Sequence, residues 1–380
     1  MQIPLLTTLK MLLKKIFILI FLIIILSLEI IVRGGGISPI FFQVLLNKNI
    51  DLVQVNENED SNRLNILLLG IGGGNHEGPK LTDSIIVASL NLDNSKLNLI
   101  SLPRDMWSFE LEDRINSAYT KGEDRKSGGG LILAKSVISE IVGQPINYAV
   151  VIDFNGFIKA VDIVGGLEID VDRTFDDYQY PITGNENELC GRSEEEVEAF
   201  TATNSAEKEL VEFFPCRYEH LHFDKGVQYM DGITALKFVR SRHADGEEGT
   251  DFARSKRQEK VINAFINKIF SLNFISNPTK IFDLYNTLQD SIDTDIPENE
   301  FDDFIKLASK FRNSELDSVV IDNGNRKEKR GGLLTNPPIS EKFSYKWTLV
   351  PRIGENNFSE IHEYVKCRLE RDVCIVSEIP

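Results

Sequence analysis

Apolar runs separated by glycine-rich and polar turns predict strands in the first part of the globular chain. Residues 64–71 read LNILLLGI and stop at Gly72-Gly73-Gly74, a loop suited to backbone angles that only glycine adopts freely. Residues 83–90 and 97–102 form two more apolar runs, and the turn Asp93-Asn94-Ser95 lies between them. We therefore expect a strand followed by a β-hairpin.

Further along, helical and strand-like spacing alternate. The predicted helices are 130–142, 157–164, 232–240 and one that Asp251 caps, and the predicted strands are 148–154, 167–171, 318–321 and 347–350. Residues 271–312 also have helical spacing, interrupted at Pro278 and Pro297. Such alternation predicts an α/β fold with a central mixed sheet flanked by helices in α-β-α layers.

The segment 172–221 differs from its surroundings. It is acidic and has little periodicity, so we interpret it as an insertion. The predicted organisation is then a short inner segment, a membrane anchor, a stalk, a main domain and a segment that completes it: 1–15, 16–33, 34–63, 64–270 and 271–380.

The anchor is predicted from residues 16–32, which read IFILIFLIIILSLEIIV with Glu29 as their one charge. A run of this length is at the short end for a transmembrane helix. Lysines at 10, 14 and 15 precede it, which places the N-terminus inside and the main domain outside the cytoplasm. A cleaved signal peptide is the alternative, but no clear Ala-x-Ala site follows. Both interpretations put the main domain outside.

The net charge of −16 excludes a general nucleic-acid binder, because the phosphate backbone would repel so acidic a chain. A site for an anion must then be a local concentration of basic residues. The four cysteines, all on the predicted outer side, favour disulfides, and proximity pairs Cys190 with Cys216 and Cys367 with Cys374. Free thiols are the alternative; a zinc site is disfavoured because there is no CxxC, and His220 and His222 alternate as on a strand.

Basic residues concentrate in two places. Arg104 and Asp105 follow the proline that ends the strand 97–102, so they leave the sheet at its rim. The guanidinium fork matches phosphate oxygens and stays charged. A surface ion pair is the simpler alternative for these two residues alone.

The second concentration runs from Arg240 to Gln258. Arg240 and Arg242 are two residues apart and can face one way if the helix ends near Arg240. Arg254 and Gln258 share one helix face, which continues through Val261 or Ile262 to Phe265 toward an apolar interior. The helix N-terminus adds its own attraction for anions. A solvated basic face is the alternative.

Asp83 opens the second strand after the glycine-rich loop. It could bind a divalent cation such as Mg²⁺ beside phosphates, since Mg²⁺ needs few protein carboxylates when phosphates supply the other ligands. The alternative is a turn aspartate that caps local backbone.

Taken together, these segments resemble the LytR-CpsA-Psr family of cell-envelope proteins. The matching stretches are NILLLGIGGG, LTDSIIVASLN, LISLPRDMW, YAVVIDFNGFIKAVDIVGGLEIDV, MDGITALKFVRSRH and DFARSKRQEKVINAF, in the family's order between about residues 64 and 269. The resemblance implies a phosphotransferase that moves a glycopolymer from a polyprenyl pyrophosphate carrier onto peptidoglycan or another acceptor. It also implies an apolar tunnel for the lipid and arginines that hold the pyrophosphate with Mg²⁺.

The resemblance assigns roles by position. Asp83 matches a metal ligand, Arg104 a phosphate-binding arginine, Asp105 a base or orienting residue, and Asp251 the acidic start of the last motif. The second basic cluster matches pyrophosphate-binding positions: Arg240, Arg242, Arg254, Arg257 and Gln258, with Arg257 expected to face away from the site. One position departs from the pattern, because Gly72 stands where many members have a second metal-binding aspartate. His76 or Glu77 could substitute.

The predicted protein is thus a single-pass enzyme of the cell membrane, with its domain outside the cytoplasm. Its partners would be a polyprenyl-pyrophosphate-linked glycan, an envelope glycan and the membrane, and not nucleic acid. Two alternatives remain open at this point: a pyrophosphatase of the same lipids, and a non-catalytic protein that binds lipid-linked glycans. Acyl transfer is disfavoured because no G-x-S-x-G motif is present.

Overall fold

The computed structural model describes residues 62–74, 79–203, 207–271, 277–312, 314, 316–324, 331–371, 374 and 376. The larger compact unit comprises the described residues of Leu52–Glu298 and Ala308–Pro380, and it contains every site discussed below. The short segment Asn299–Leu307 falls outside that unit.

The strands of the described residues are β1 (Arg63–Ile71), β2 (Thr82–Asn91), β3 (Leu97–Leu102), β4 (Trp107–Ser108), β5 (Asp113–Arg114), β6 (Tyr148–Asp153), β7 (Leu167–Val171), β8 (Phe175–Pro181), β9 (Tyr218–Phe223), β10 (Gly226–Met230), β11 (Ile292–Thr294), β12 (Leu316–Val320), β13 (Leu334–Thr335) and β14 (Val350–Pro351). The α-helices are α1 (Ala118–Arg125), α2 (Gly129–Val142), α3 (Phe154–Ile163), α4 (Glu194–Thr203), α5 (Glu207–Phe213), α6 (Gly232–Arg240), α7 (Asp251–Ile269), α8 (Pro278–Ser291), α9 (Phe301–Phe311) and α10 (Ser359–Glu370).

A six-stranded mixed sheet organises the larger unit, in the order β11-β6-β1-β2-β3-β12. Strand β1 runs parallel to β6, and β3 runs parallel to β12. Strand β2 lies antiparallel between β1 and β3, and β11 is antiparallel to β6. Four strands therefore point the same way, and their carboxyl ends meet at one edge of the sheet.

The main core covers one face of this sheet. On β1 the side chains of Leu67 and Leu69 are buried, whereas those of Ile66 and Leu68, on the opposite face, remain partly exposed. The buried face packs against residues of α1, α2 and α10. A second core joins α3, α6, α7 and α8 with the strands β7 to β10. The predicted mixed sheet with flanking helices is confirmed.

Most predicted boundaries agree with the structure to within a few residues, and the differences at helix starts come from capping. Helix α3 begins at Phe154, three residues before the predicted start, because the Asp153 carboxylate accepts a hydrogen bond from the Gly156 N–H at 2.6 Å. Helix α7 is capped by Thr250 and not by Asp251, since Thr250 Oγ1 accepts from the Ala253 N–H at 3.2 Å.

Two stretches contain elements that the sequence pattern did not predict. The acidic segment 172–221, interpreted as an insertion of low periodicity, contains β8 and most of β9, which pair antiparallel. The expected helical stretch 271–312 is interrupted by β11, which pairs with β6 and whose Thr294 hydroxyl donates to the Ala149 carbonyl at 2.8 Å. Pro278 does not break a helix but begins α8.

Both predicted disulfides are confirmed, Cys190–Cys216 and Cys367–Cys374. The predicted membrane anchor at 16–33 lies outside the described residues. Within the part of the chain that the structure describes, no helix has both the length and the apolar character needed to cross a membrane.

Candidate functional site

The candidate site lies at the edge where the carboxyl ends of β1, β3, β6 and β12 meet and where β2 begins. In open α/β sheets this edge is the usual place for a ligand, because chain segments leaving parallel strands diverge there. Helix α7 approaches the same edge with its amino-terminal turns. The residues predicted from the sequence come from β2, from the segment after β3, from the segment after α6 and from α7.

Arg104 lies at the centre of the predicted first cluster. Its Nη1 donates to Asp83 Oδ1, so the start of β2 and the end of β3 are tied together at the rim. Its Nε is buried and has no hydrogen-bond acceptor among the described residues, since Asp105 Oδ2 is 3.6 Å away. Arg104 therefore keeps donor capacity that the protein itself does not use.

Asp105 is buried and faces three arginines. Its Oδ1 lies 3.0 Å from Arg114 Nη1, and its Oδ2 lies 3.6 Å from Arg104 Nε and 3.7 Å from Arg242 Nη2. A carboxylate in this position holds the guanidinium groups in place. The arrangement favours the orienting role over the role of a base, the two possibilities that the resemblance implied.

Arg242 and Arg254 bring the second cluster to the same place. Arg254 Nη2 pairs with Asp251 Oδ1 at 2.7 Å, one turn earlier on α7. Burial, with the nearby positive charges of Arg254 and Arg104, lowers the pKa of Arg242 to about 10, although the carboxylates of Asp105 and Asp251 act in the opposite direction. Arg242 remains protonated at neutral pH, so three guanidinium groups repel one another across the site.

A cleft opens beside this cluster. Gln258 Nε2 donates to Ser84 Oγ at 3.1 Å across it, which links α7 to β2. Polar residues of β2 and α7 face apolar residues at the ends of β3 and β12, and the lining is formed by Asp83, Ser84, Ile85, Ser101, Leu102, Pro103, Asp251, Arg254, Ser255, Gln258, Val320 and Ile321. The predicted residues Asp83, Asp251, Arg254 and Gln258 thus share one cleft.

Arg240 lies to one side, against aromatic rings. Its guanidinium carbon is 4.2 Å from the centre of the Phe154 ring and 5.7 Å from that of Tyr180, and Nη1 donates to the Tyr180 hydroxyl at 3.3 Å. Burial raises the pKa of Tyr180, so the hydroxyl stays protonated. These contacts hold Arg240 beside Phe154, the first residue after β6 at the same sheet edge.

Arg257 does not line the cleft. Its side chain is buried, and it donates to the Phe238 carbonyl at 2.9 Å, the Ser241 carbonyl at 2.7 Å and the Glu248 carboxylate at 2.9 Å. The expectation that it faces away from the site agrees with this geometry. Its inclusion among pyrophosphate-binding residues does not, because its guanidinium is already used to hold the segment that follows α6.

The donors for a divalent cation are fewer than the family pattern implies. Asp83 supplies a carboxylate at the cleft, but Gly72 supplies none, and His76 and Glu77 lie outside the described residues. The next residue, Gly73, has a φ of 64°, and a side chain there would meet the Asp153 Cβ at 2.9 Å. The loop therefore needs glycine at that position, where the chain passes close to the end of β6.

Sequence reasoning missed Arg114. This residue lies on β5, and besides its contact with Asp105 its Nη2 donates to the Trp347 carbonyl at 2.5 Å. A short hairpin of β4 and β5 turns the chain back toward the site. The sequence carries only a weak signal for this, a lone basic residue ten positions after Arg104.

The model of the LytR_cpsA_psr family matches residues 44–334, which is most of the chain and includes every residue of the cleft. The chain belongs to this family. That conclusion agrees with the resemblance found in the motifs.

Two similar relatives bear the name polyisoprenyl-teichoic acid–peptidoglycan teichoic acid transferase TagU. The protein from Enterococcus faecalis is 28% identical over 316 residues, covering 79% of this chain and 84% of its own. The one from Bacillus cereus is 25% identical over 285 residues, covering 74% of this chain and 75% of its own.

Solved structures share the fold. B. subtilis TagV superimposes with a TM-score of 0.50 at 21% identity, over 82% of this chain and 99% of that one. At this identity the comparison supports the architecture and not the chemistry.

Proposed function

We propose that this protein is a phosphotransferase that moves a glycopolymer from a polyprenyl pyrophosphate carrier to peptidoglycan or another cell-envelope acceptor. Its relatives are named as transferases of teichoic acid from a polyisoprenyl carrier to peptidoglycan. The candidate site of this chain has the charge and shape that such a donor requires.

The observation that carries the proposal is the convergence of Arg104, Arg242 and Arg254 in an acidic protein. Burial and mutual repulsion lower the pKa of Arg242 to about 10. A fold tolerates such repulsion where a polyanion relieves it, and sites with strongly perturbed charges are typical of function. A pyrophosphate spreads its negative charge over several oxygens and can accept hydrogen bonds from all three guanidinium groups.

The chemistry needs little covalent work from the protein. An acceptor hydroxyl oxygen attacks the phosphorus that carries the glycopolymer, and the bond from that phosphorus to the bridging oxygen breaks. Polyprenyl phosphate leaves with that oxygen, and the hydroxyl proton passes to a carboxylate, for which Asp251 in the lining of the cleft is the candidate. The arginines stabilise the charge on the phosphoryl oxygens throughout.

The site fits a role for Mg²⁺. Asp83 would hold the ion, because one or two carboxylates suffice when phosphate oxygens supply further ligands, and Gly72 supplies no second carboxylate. When bound, the ion would neutralise pyrophosphate charge that the arginines do not reach. Asp83 would then exchange its contact with Arg104 for the cation.

We also propose that the chain is held at the cell membrane by residues 16–33, with its main domain outside. Two disulfides support an oxidising compartment. The lipid would lie along the face of α7 that continues from Gln258 through Ile262 and Phe265, both partly exposed, and beside the exposed face of β1.

The experiment is transfer of labelled glycopolymer from its lipid pyrophosphate to peptidoglycan by the purified full-length chain with Mg²⁺. Arg254→Ala should reduce the rate about 10²- to 10³-fold, the loss typical of removing one donor to a charged transition state. The matched control is Arg371→Ala, which removes an exposed arginine just after α10.

The products separate the alternatives. Release of lipid phosphate with no label on the glycan would identify a pyrophosphatase. If the lipid binds but neither the unaltered chain nor Arg254→Ala releases lipid phosphate, the protein only binds the lipid. That result would refute the transfer proposal.

A further inference from the structure

A second cluster of ligand-type side chains lies on the ribbon formed by β8 and β9, apart from the cleft. Asp176 pairs directly across the ribbon with His222, and His220 lies two residues earlier on the same face of β9. Asp176 Oδ1 is 2.7 Å from His220 Nε2 and 2.8 Å from His222 Nδ1. Within the described residues, this is the one grouping of three histidine, cysteine or acidic side chains whose ligand atoms all lie within 4.8 Å of one another.

The surroundings of both rings orient them for this arrangement. His222 Nε2, the nitrogen that faces away from Asp176, lies 3.3 Å from Asp224 Oδ1. A carboxylate on the far nitrogen of a histidine is the usual partner of a metal-binding imidazole, because it fixes the tautomer and makes the ligand nitrogen more basic. The Tyr178 ring stacks on His220 with centroids 4.2 Å apart and planes 5° from parallel.

The simpler explanation is a network of three His–Asp hydrogen bonds, which at an exposed surface stabilises little. What favours a metal is that one oxygen of Asp176 faces a nitrogen of both imidazoles at once. Two imidazoles and one carboxylate form a ligand set that suits Zn²⁺, whereas Mg²⁺ prefers oxygen ligands. A tetrahedral Zn²⁺ has ligands at about 2.0–2.2 Å, so they lie about 3.3–3.6 Å apart. The Asp176 oxygen would need to move away from each imidazole by about 0.5–0.9 Å, and the two imidazole nitrogens already lie within 4.8 Å of each other.

We propose that Asp176, His220 and His222 form a Zn²⁺ site, with Asp224 as the outer partner of His222. The site has three protein ligands and a fourth position for water. It joins β8 to β9 through side chains in addition to the backbone pairing.

The position of the site connects it to the segment that carries Arg242. The neighbour of Asp176, Asp177, is buried and accepts hydrogen bonds from Ser241 Oγ at 2.7 Å and from the His243 N–H at 3.3 Å. The Asp176 carbonyl accepts from the Asp245 N–H at 2.9 Å. A metal that fixes β8 therefore also fixes the backbone on both sides of Arg242.

The test is titration of the full-length, disulfide-intact chain with Zn²⁺ after removal of bound metal, in competition with a chromogenic chelator. One Zn²⁺ should bind per chain, and Mg²⁺ should not displace it. Loss of a ligand in His220→Ala, His222→Ala or Asp176→Asn should abolish that stoichiometric binding. Asp224→Asn should weaken the affinity about 10- to 100-fold, the range for an outer partner of a metal ligand.

His362→Gln is the matched control, because it removes an imidazole that contacts the Glu140 carbonyl elsewhere in the fold. All these side chains except His362 lie on the exposed ribbon, and circular dichroism would verify that each variant folds. Absence of one-to-one binding, or an unchanged affinity in both histidine variants, would overturn the proposal. Because zinc binding is measured without the transfer reaction, the result is independent of the proposed function.

Discussion

The arginine cluster beside the cleft and the interior behind it each contain an arginine whose pKa is lowered to about 10, chiefly by burial. Arg242 is the one in the cluster, and Arg257 is the one in the interior. For Arg257 the next influence is Glu248, which raises the pKa, and backbone carbonyls accept from the remaining donors. For Arg242 the next influences are Arg254 and Arg104, which lower it. The charge and donors of Arg257 are therefore matched by nearby acceptors, whereas the charge of Arg242 faces further positive charges.

This difference distinguishes an arginine that supports the fold from an arginine that is available to bind a ligand. Arg254 and Arg257 are three residues apart on α7, yet Arg254 lines the cleft and Arg257 binds carbonyls of α6 and the segment after it, so the basic run DFARSKRQ has two roles. A guanidinium whose donors are used by carbonyls holds a segment in place. A guanidinium that faces other guanidinium groups is available to bind an anion. Substitutions should then have opposite effects on stability and activity in the two regions.

The largest effect is expected in the interior. Arg257→Met should lower the free energy of unfolding by about 3–5 kcal/mol, because Glu248 and the carbonyls at the end of α6 lose their partner in a buried place. Urea denaturation of the full-length chain measures it. Arg257→Lys should recover only part of the loss, since an ammonium cannot make the same fork of contacts. A loss of unfolding free energy below about 1 kcal/mol would contradict the structural role of Arg257 and therefore its contrast with Arg242.

In the cluster beside the cleft, Arg242→Met should have the reverse outcome. The transfer rate should fall about 10²- to 10³-fold, equivalent to about 2.7–4 kcal/mol in the transition state. The free energy of unfolding should stay the same or rise, because repulsion from Arg254 and Arg104 disappears. Parallel transfer assays and urea denaturation give both values. A strongly destabilised variant would mean that Arg242 is structural, like Arg257.

Inorganic pyrophosphate should bind the cleft and stabilise the fold. At a concentration one hundred times its dissociation constant, the gain would be about 2.7 kcal/mol, visible as a higher thermal midpoint. The gain should vanish in Arg242→Met and persist in Arg371→Ala. Equal stabilisation of all three proteins would point to an anion site elsewhere.

The smallest effect is expected at the link across the cleft. Ser84→Ala removes the acceptor for Gln258 Nε2, a single hydrogen bond between uncharged groups worth about 0.5–1.5 kcal/mol. The transfer rate should fall between about two- and tenfold, and Ser84→Thr should restore most of it. A loss as large as that of Arg242→Met would give Ser84 a direct role in the reaction.

Strand ends were the part of the site that the sequence predicted best. The apolar run before Pro103 shows where β3 stops, and a chain leaving a buried strand must place Arg104 and Asp105 at the rim. Arg254 and Gln258 follow from helical spacing alone. These predictions depend only on local periodicity, which can be read from the sequence.

Contacts made over long distances along the chain were not predictable in this way. Arg114 reaches Asp105 only because β4 and β5 form a short hairpin, and neither strand is long enough to leave a pattern. The pairing of β8 with β9 was missed, although His220 and His222 showed a strand-like alternation, because the buried Asp177 interrupts the apolar positions of β8. The orientation of the Arg257 side chain depends on backbone carbonyl groups, and no sequence pattern indicates where these acceptors lie.

The parallel pairing of β3 with β12 also governs when the protein can finish folding. Leu97 lies beside Leu316, so the edge of β3 has no partner until most of the chain has been synthesised. Val320 and Ile321, which form one wall of the cleft, arrive with that strand. Such distant pairings form slowly. A chain released early would expose an apolar strand edge and lack a complete cleft, so ribosome stalling or truncation before residue 316 should yield aggregation in place of a partially active enzyme.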